Sequence, residues 1–243
     1  MTDTANPLAD DLLARLAKLE TGLVSDVLDE AGLPNHALSS ALVPLAAGTR
    51  FAGIAVCARG EAAVSGRHAR PAMPGPALEA AMAPGRVLVI DSGGFNRGAL
   101  LGGFVAYSLQ RAGCVAIVTD GPVRDADEIR GLGLSVVSGG VTPVNGSRRW
   151  RWTDVGVPVT LPGQEGRPVA VAPGDYLLAD GDGVVVIPAA VAATVIADSE
   201  ELARIEKRIG EGLRAGGTRA EVFKANPRFD HVRTAVTEGG RPG

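Results

Sequence analysis

With 243 residues, 46% of them hydrophobic, the chain has material for one large core, and residues 1–243 read as a single domain. A formal net charge of −3, with lysine and arginine scattered, offers neither the basic face a polyanion needs nor an acidic disordered block, so nucleic acid is not an expected partner. No apolar run reaches the length of a bilayer span and the opening MTDTANPLADD lacks a basic, then apolar, leader, so a cytoplasmic protein without membrane contact is expected.

Over residues 8–32 apolar side chains recur at helical spacing: Leu12, Leu16 and Leu19, then Leu23, Val27 and Ala31. Thr21-Gly22 divides them into two helices, and Gly32-Leu33-Pro34 stops the second. From Thr49 the texture changes to short Val- and Ile-rich runs bounded by glycine and proline: FAGIAVCA, RVLVID, CVAIVTD, LSVVSGG, VPVTL and GVVVIP. These read as buried strands of a core over residues 46–190. Cys57 and Cys114 lie inside two such runs, where a thiol acts as a small buried hydrophobe in a reducing compartment, not as a metal ligand or nucleophile. Residues 98–112 and 125–132 are helical in pattern, the first expected to bury Leu101, Phe104, Val105, Ser108 and Leu109 on one face. A C-terminal helix over residues 189–213 starts amphipathic and becomes heavily charged, and residues 214–243 read as a loosely structured tail. APGRVLVIDSGG and APGDYLLADGDG echo each other as a Pro-Gly turn, a strand and an Asp-plus-Gly exit. Many strands with few, irregularly spaced helices indicate an α/β class of the α+β kind. The core is then layered β/β/α and not a doubly wound parallel sheet.

Two motifs carry candidate chemistry. In GGFNRGALLGGFVAYSLQRAG, glycines cluster where a helix follows a strand. They would let N–H groups approach an anion closely, though small residues also serve tight helix packing, which is the better account of glycines alone. In DGPVRDADE, after the strand CVAIVTD, Arg124 and Asp125 emerge at a strand's carboxyl end, where ligands bind in open sheets. Asp125 with Glu128 makes a D-x-x-E capping box, and local physics favours the cap. Arg124 either pairs with Asp127 or Glu128 or holds a carboxylate bidentately. A fixed cation beside a carboxylate could hold Mg²⁺ and an oxo acid together. His36, His68 and His231 stand alone as polar surface residues, although His68 with Arg67 and Arg70 could line a site mouth. Trp150 and Trp152 in RRWRW mark a subunit contact or a substrate wall, with the composition suiting an interface. Ser25 and Asp26 read as a helix polar face.

The stretch from Gly98 through GGVTP, with TGLVSDVLDEAGL before it and PGDYLLADGDGVVVIP after it, resembles the 4-hydroxy-4-methyl-2-oxoglutarate aldolase family, which includes the regulator of ribonuclease activity A. The resemblance implies a β/β/α swivelling-domain core, with an N-terminal and a C-terminal helical part, assembled as a homotrimer or homohexamer with sites between subunits. It implies a lyase using Mg²⁺ or Mn²⁺ that cleaves 4-hydroxy-2-oxo acids to pyruvate and decarboxylates oxaloacetate. Carried over, Arg124 binds the oxo-acid carboxylate and stabilises the enolate, and Asp125 coordinates the metal. Backbone N–H groups of Gly103, Phe104 and Val105, with Gly102 beside them, hold the substrate carboxylate. A glutamate from the neighbouring subunit's C-terminal helix is placed at Glu206, with Glu201 as the alternative. The family's acidic residue, separated from the arginine by twenty positions, falls on Gly103. Three accounts stay open: Asp120 or Asp91 substitutes, metal-bound hydroxide suffices, or another enolate-type reaction runs on the same platform. The intact Arg-Asp pair argues against the remaining alternative, a non-catalytic ring that binds another protein.

Overall fold

The computed structural model describes residues 7–64 and 66–235. The leader reading at the first residues and the end of the tail lie outside them. Helices α1 (Pro7–Leu16) and α2 (Thr21–Glu30) precede β1 (Val43–Pro44) and β2 (Phe51–Ala62). Then come α3 (Ala77–Ala80), β3 (Arg86–Asp91), α4 (Gly103–Arg111), β4 (Cys114–Thr119), β5 (Pro122–Val123) and α5 (Ala126–Leu132). They are followed by β6 (Ser135–Ser138), β7 (Gly140–Val141), β8 (Trp150–Val155), β9 (Val159–Pro162) and β10 (Pro168–Val171). The last elements are β11 (Tyr176–Asp180), β12 (Gly183–Ile187), α6 (Ala192–Arg214) and α7 (Arg219–Ala225).

The main sheet runs β1-β6-β4-β3-β2-β11-β12, with β8 also paired to β2. Strands β2, β3, β4 and β6 are parallel neighbours, so each crossover steps the same way across the sheet. With the usual handedness their helices fall on one face. Accordingly Leu88, Ile90, Ile117 and Val136 pack with Leu78 of α3, Ala106 and Leu109 of α4 and Ile129 of α5. Alternate residues Val87, Val89, Ala116, Val118 and Val137 point the other way, onto Val159, Leu161, Val169 and Val171 of the antiparallel β9–β10 pair. That is the expected β/β/α layering, and two-sided burial explains why the strands read as unbroken apolar runs. A third cluster joins α1, α2 and α6 to Tyr176, Leu178, Val185 and Ile187. The two echoing segments become β3 and β11. They flank β2 on opposite sides, one parallel and one antiparallel, and each is entered through a left-handed glycine, Gly85 or Gly174.

Several expectations need correction. Thr21 does not break the N-terminal helices; it begins α2. Asp180, at the end of β11, accepts from Thr21 N–H (2.8 Å) and Oγ1 (2.6 Å), a remote cap. The helix expected from residue 98 starts at Gly103, because the segment before it is tied to neighbouring loops: Ala99 N–H donates to Val144 and Leu100 N–H to Pro122. The shifted start buries Gly103, Ala106 and Leu109 and leaves Phe104 85% exposed, so Phe104 is not a core residue. The described part of the tail, residues 214–235, is not loose. Thr218 and Glu221 form a capping box that starts α7, and Arg233 reaches the buried Asp198 of α6 (Nη2–Oδ1 2.6 Å). His231 Nε2 lies 2.9 Å from the Asp198 carbonyl, so His231 is half-buried rather than a surface group. Both cysteines are buried, and burial pushes the Cys57 thiol up to about 12. Among the described residues no helix is long and apolar enough to cross a membrane.

Candidate functional site

The parallel strands β3 and β4 end side by side, and the chain leaving each makes one wall of a site. After β3, residues 92–102 lead to the start of α4. After β4, residues 120–125 lead to the start of α5. Arg124 N–H donates to Leu101 O (3.1 Å), which locks the two loops together and sets the first turns of α4 and α5 next to each other.

Asp125 occupies the N-cap position of α5 but makes no side-chain cap. Its backbone is left-handed (φ 58°, ψ 42°), a conformation shared by only one other non-glycine residue among those described, Asn35. Aspartate tolerates it at a cost of about 1 kcal/mol. The capping-box reading is therefore corrected: the left-handed turn swings the carboxylate off its own helix, and Asp125 Oδ2 accepts from Gly103 N–H, the first residue of α4, at 3.0 Å. Arg124 pairs with neither Asp127 nor Glu128. Its Nε stands 3.4 Å from Asp125 Oδ2, while Asp127 is taken by Arg130.

The glycines are small for a specific reason. A Cβ on Gly102 would lie 2.3 Å from Asp125 Oδ2 and 2.9 Å from Arg124 Nε; a Cβ on Gly103 would lie 2.2 Å from the Glu128 carboxyl carbon. Neither glycine has a positive φ, so what a side chain there would disturb is the placement of the Arg124, Asp125 and Glu128 side chains and not the backbone. The first turn of α4 holds N–H groups of Phe104 and Val105 that lack intrahelical acceptors, so an anion is favoured there. Gly103 N–H, expected to join them, is already taken by Asp125.

Arg124, Gly102 and Val105 line a cavity of about 340 Å³ whose far wall is Trp150, Arg151 and Trp152. Trp150 is only 2% exposed, donates its indole N–H to Ser92 O (3.0 Å) and meets Trp152 edge-on at 4.7 Å. Trp150 is therefore not an exposed contact residue, and with Trp152 it lines this cavity; Gly60 permits its position, since a Cβ there would sit 2.2 Å from the Trp150 ring. Arg151 was not singled out in the sequence. Its Nη2 lies 3.6 Å from Glu61 and its buried Nε has no hydrogen-bond partner.

Other candidates lie elsewhere. Asp120 accepts from Ser92 N–H (2.7 Å) and, with Asp91, lines a separate cavity beneath the β9–β10 pair; burial raises its pKa. Glu206 is held within its own chain by Arg228, which also binds Asp26 (2.6 Å), and Glu201 pairs with Arg204. Arg70 is fixed on Asp154, whose carboxyl the Arg70 and Arg59 guanidinium groups hold well below the usual range, and His68 faces Glu61; neither lines the Arg124 cavity. His36 is half-buried, and that burial lowers its pKa.

A family model described as RraA-like, Aldolase/RraA, matches residues 21–186. A putative 4-hydroxy-4-methyl-2-oxoglutarate aldolase of Thermus thermophilus is 38% identical over 104 residues, which are 43% of this chain and 60% of that protein. Among solved structures, an unusual member of the RNase ES inhibitor RraA protein family from Streptomyces coelicolor superposes with a TM-score of 0.70 at 26% identity, covering 81% of this chain and 95% of that one. An uncharacterized protein from Pseudomonas syringae pv. tomato shares the fold (TM-score 0.74, 24% identity, 88% and 96% coverage).

Proposed function

The chain belongs to the RraA-like family, and on that premise we propose that it is a divalent-metal-dependent lyase acting on a small 2-oxo acid. It cleaves a 4-hydroxy-2-oxo acid to pyruvate, decarboxylates oxaloacetate, or does both. The observation that carries this reading is Asp125: a left-handed backbone aims its carboxylate away from the helix it precedes and over Gly102, beside Arg124.

The donor set fits Mg²⁺ or Mn²⁺. Among the described residues no three His, Cys, Asp or Glu side chains converge as a cage, and one carboxylate over a glycine cradle suits a hard ion that keeps water and substrate oxygens in its shell. When bound, such an ion supplies Lewis-acid polarisation of the substrate's 2-oxo group. Asp125 would hold it. Arg124 would clamp the adjacent carboxylate and neutralise charge on the enolate oxygen as the C–C bond breaks. The Phe104 and Val105 N–H groups at the start of α4 would bind the substrate carboxylate, while Trp150 and Trp152 keep that side of the cavity dry. Exposed Phe104 and Tyr107 on α4 support contact with another copy, consistent with a homotrimer or homohexamer with sites between subunits. Arg228 holds one carboxylate oxygen of Glu206, so the service of Glu206 to a neighbour's site would run through the other oxygen or follow release from Arg228.

The test is pyruvate release from oxaloacetate or a 4-hydroxy-2-oxo acid with Mg²⁺ or Mn²⁺. Asp125→Asn should abolish metal-dependent turnover without lowering the melting temperature, because asparagine also tolerates the left-handed turn. Absence of pyruvate from the native protein with either metal rejects the reading. A second reading, a ring that binds another protein, draws on the likeness to the Streptomyces coelicolor inhibitor-family structure. Calorimetry separates the two, since metal-dependent oxalate binding is required only of the lyase.

A further inference from the structure

We propose that Glu128 is the acidic group of the Arg124–Asp125 site, its carboxylate standing in the volume that a side chain at position 103 would fill. The proposal rests on the lyase reading and deepens it. Position 103 is where the resemblance places an acidic residue and the chain has glycine. The structure puts a carboxylate there by another route: a Cβ on Gly103 would lie 2.2 Å from Glu128 Cδ and Oε2 and 2.6 Å from Oε1. Aspartate on the first residue of α4 and glutamate on the first turn of α5 are thus two ways of filling one volume, because the helix starts are adjacent and glutamate is one methylene longer. Gly103 is not left-handed, and the nearest atoms that a Cβ there would meet are those of the Glu128 carboxylate, the end of a flexible, exposed side chain.

Three observations favour chemistry over packing for Glu128. It is exposed, and none of the ion pairs of the described residues engages it; Arg130, two residues on, takes Asp127 instead. It is not an N3 capping partner, since Asp125 has abandoned the cap. It also borders the residue whose N–H is bonded to Asp125, which places a second carboxylate at the edge of the site without closing it into an ion pair. In retro-aldol cleavage a base takes the proton of the 4-hydroxyl while the C3–C4 bond breaks. The released electron pair becomes the enolate of pyruvate, the former carbinol carbon becomes a carbonyl, and a proton returns to C3. A carboxylate here can take the first proton and, once protonated, return one. Asp120 and Asp91, the other candidates for this duty, line the separate cavity under β9–β10; Glu128 lines neither cavity, and its place at the site rests on its contact with the volume at position 103.

The experiment is an exchange of positions 103 and 128. Glu128→Gln should lower kcat about 10²- to 10⁴-fold with KM little changed, and Mn²⁺ binding by calorimetry should persist because Asp125 remains. Gly103→Asp alone should lower the melting temperature, since it either sets two carboxylates against each other or drives Glu128 out of that volume. Combining Gly103→Asp with Glu128→Ala should restore both the melting temperature and most of the turnover. Native kcat in Glu128→Gln overturns the proposal while leaving the lyase reading intact, as does a double variant no better than Gly103→Asp in either measurement. A native protein that yields no pyruvate overturns the lyase reading and this proposal with it.

Discussion

Two ends of the molecule handle charge in opposite ways. Where α1, α2, α6 and the tail meet, cations are closed onto anions: Arg15 makes two bonds to Glu200, Arg228 bridges Glu206 and Asp26, and Arg233 grips the buried Asp198. Where α4 and α5 begin, Arg124 touches Asp125 only at 3.4 Å, and Asp125 is turned by a left-handed backbone toward another helix. Closed pairs of this kind hold elements together. Unclosed charges at helix starts, kept in place by strained backbone, are what a scaffold maintains for a ligand. On the proposed function the contrast sets stability at one end and chemistry at the other, and it can be broken by variants that move the wrong property.

The largest effect is expected at the site. Arg124→Ala should lower kcat/KM for pyruvate release by about 10²- to 10³-fold, the loss typical of one preorganised electrostatic partner. Its melting temperature should stay near that of the native protein, since the side chain closes no strong pair. A substantial drop in melting temperature with turnover preserved would reverse the assignment of this end.

The converse variant is Asp198→Ala. Asp198 is 5% exposed and accepts from Arg233 through both backbone and guanidinium groups, whereas Arg233 is 58% exposed and can rehydrate. Losing these charge-assisted bonds should cost about 1.5–3 kcal/mol, read as a lower midpoint in denaturant titration. Turnover of the folded fraction should not change. If it falls as well, the tail contributes to the site, and the two ends are not independent.

How far the sequence showed this division depends on the range of each signal. Strands buried on both faces announce themselves as apolar runs, and the count of strands against helices was enough for the β/β/α layering. The position of Arg124 and Asp125 was legible because a strand's carboxyl end is a local landmark. What failed was whatever another segment decides. The start of α2 is set by Asp180, the start of α4 by loop contacts to residues 122 and 144, and the inward turn of Trp150 by Gly60 and Ser92. D-x-x-E has the spacing of a capping box, and only the left-handed φ of Asp125 shows that it is not one. Gly103 and Glu128 are 25 positions apart in the sequence, and nothing in either position alone says that they share one volume.

The smallest expected effect concerns Asp120, the carboxylate between the two regimes: half-buried like a structural group, yet only one strand end from the site. Burial raises its pKa above the ordinary aspartate value, more than its bond from Ser92 N–H lowers it. A carboxyl with a raised folded-state pKa contributes its full stability below the unfolded value, and that contribution is lost as pH rises through the folded value. At neutral pH the charged form therefore lowers stability. Asp120→Asn, which keeps an oxygen for Ser92 N–H, should raise the denaturation midpoint at pH 7, and the gain should vanish as the pH falls below the unfolded value. Because Asp120 faces the cavity under β9–β10 and not the one lined by Arg124, turnover should not follow stability. A large loss of turnover in this variant would bring Asp120 back into the chemistry and would move the boundary between the two kinds of charge to the end of β4.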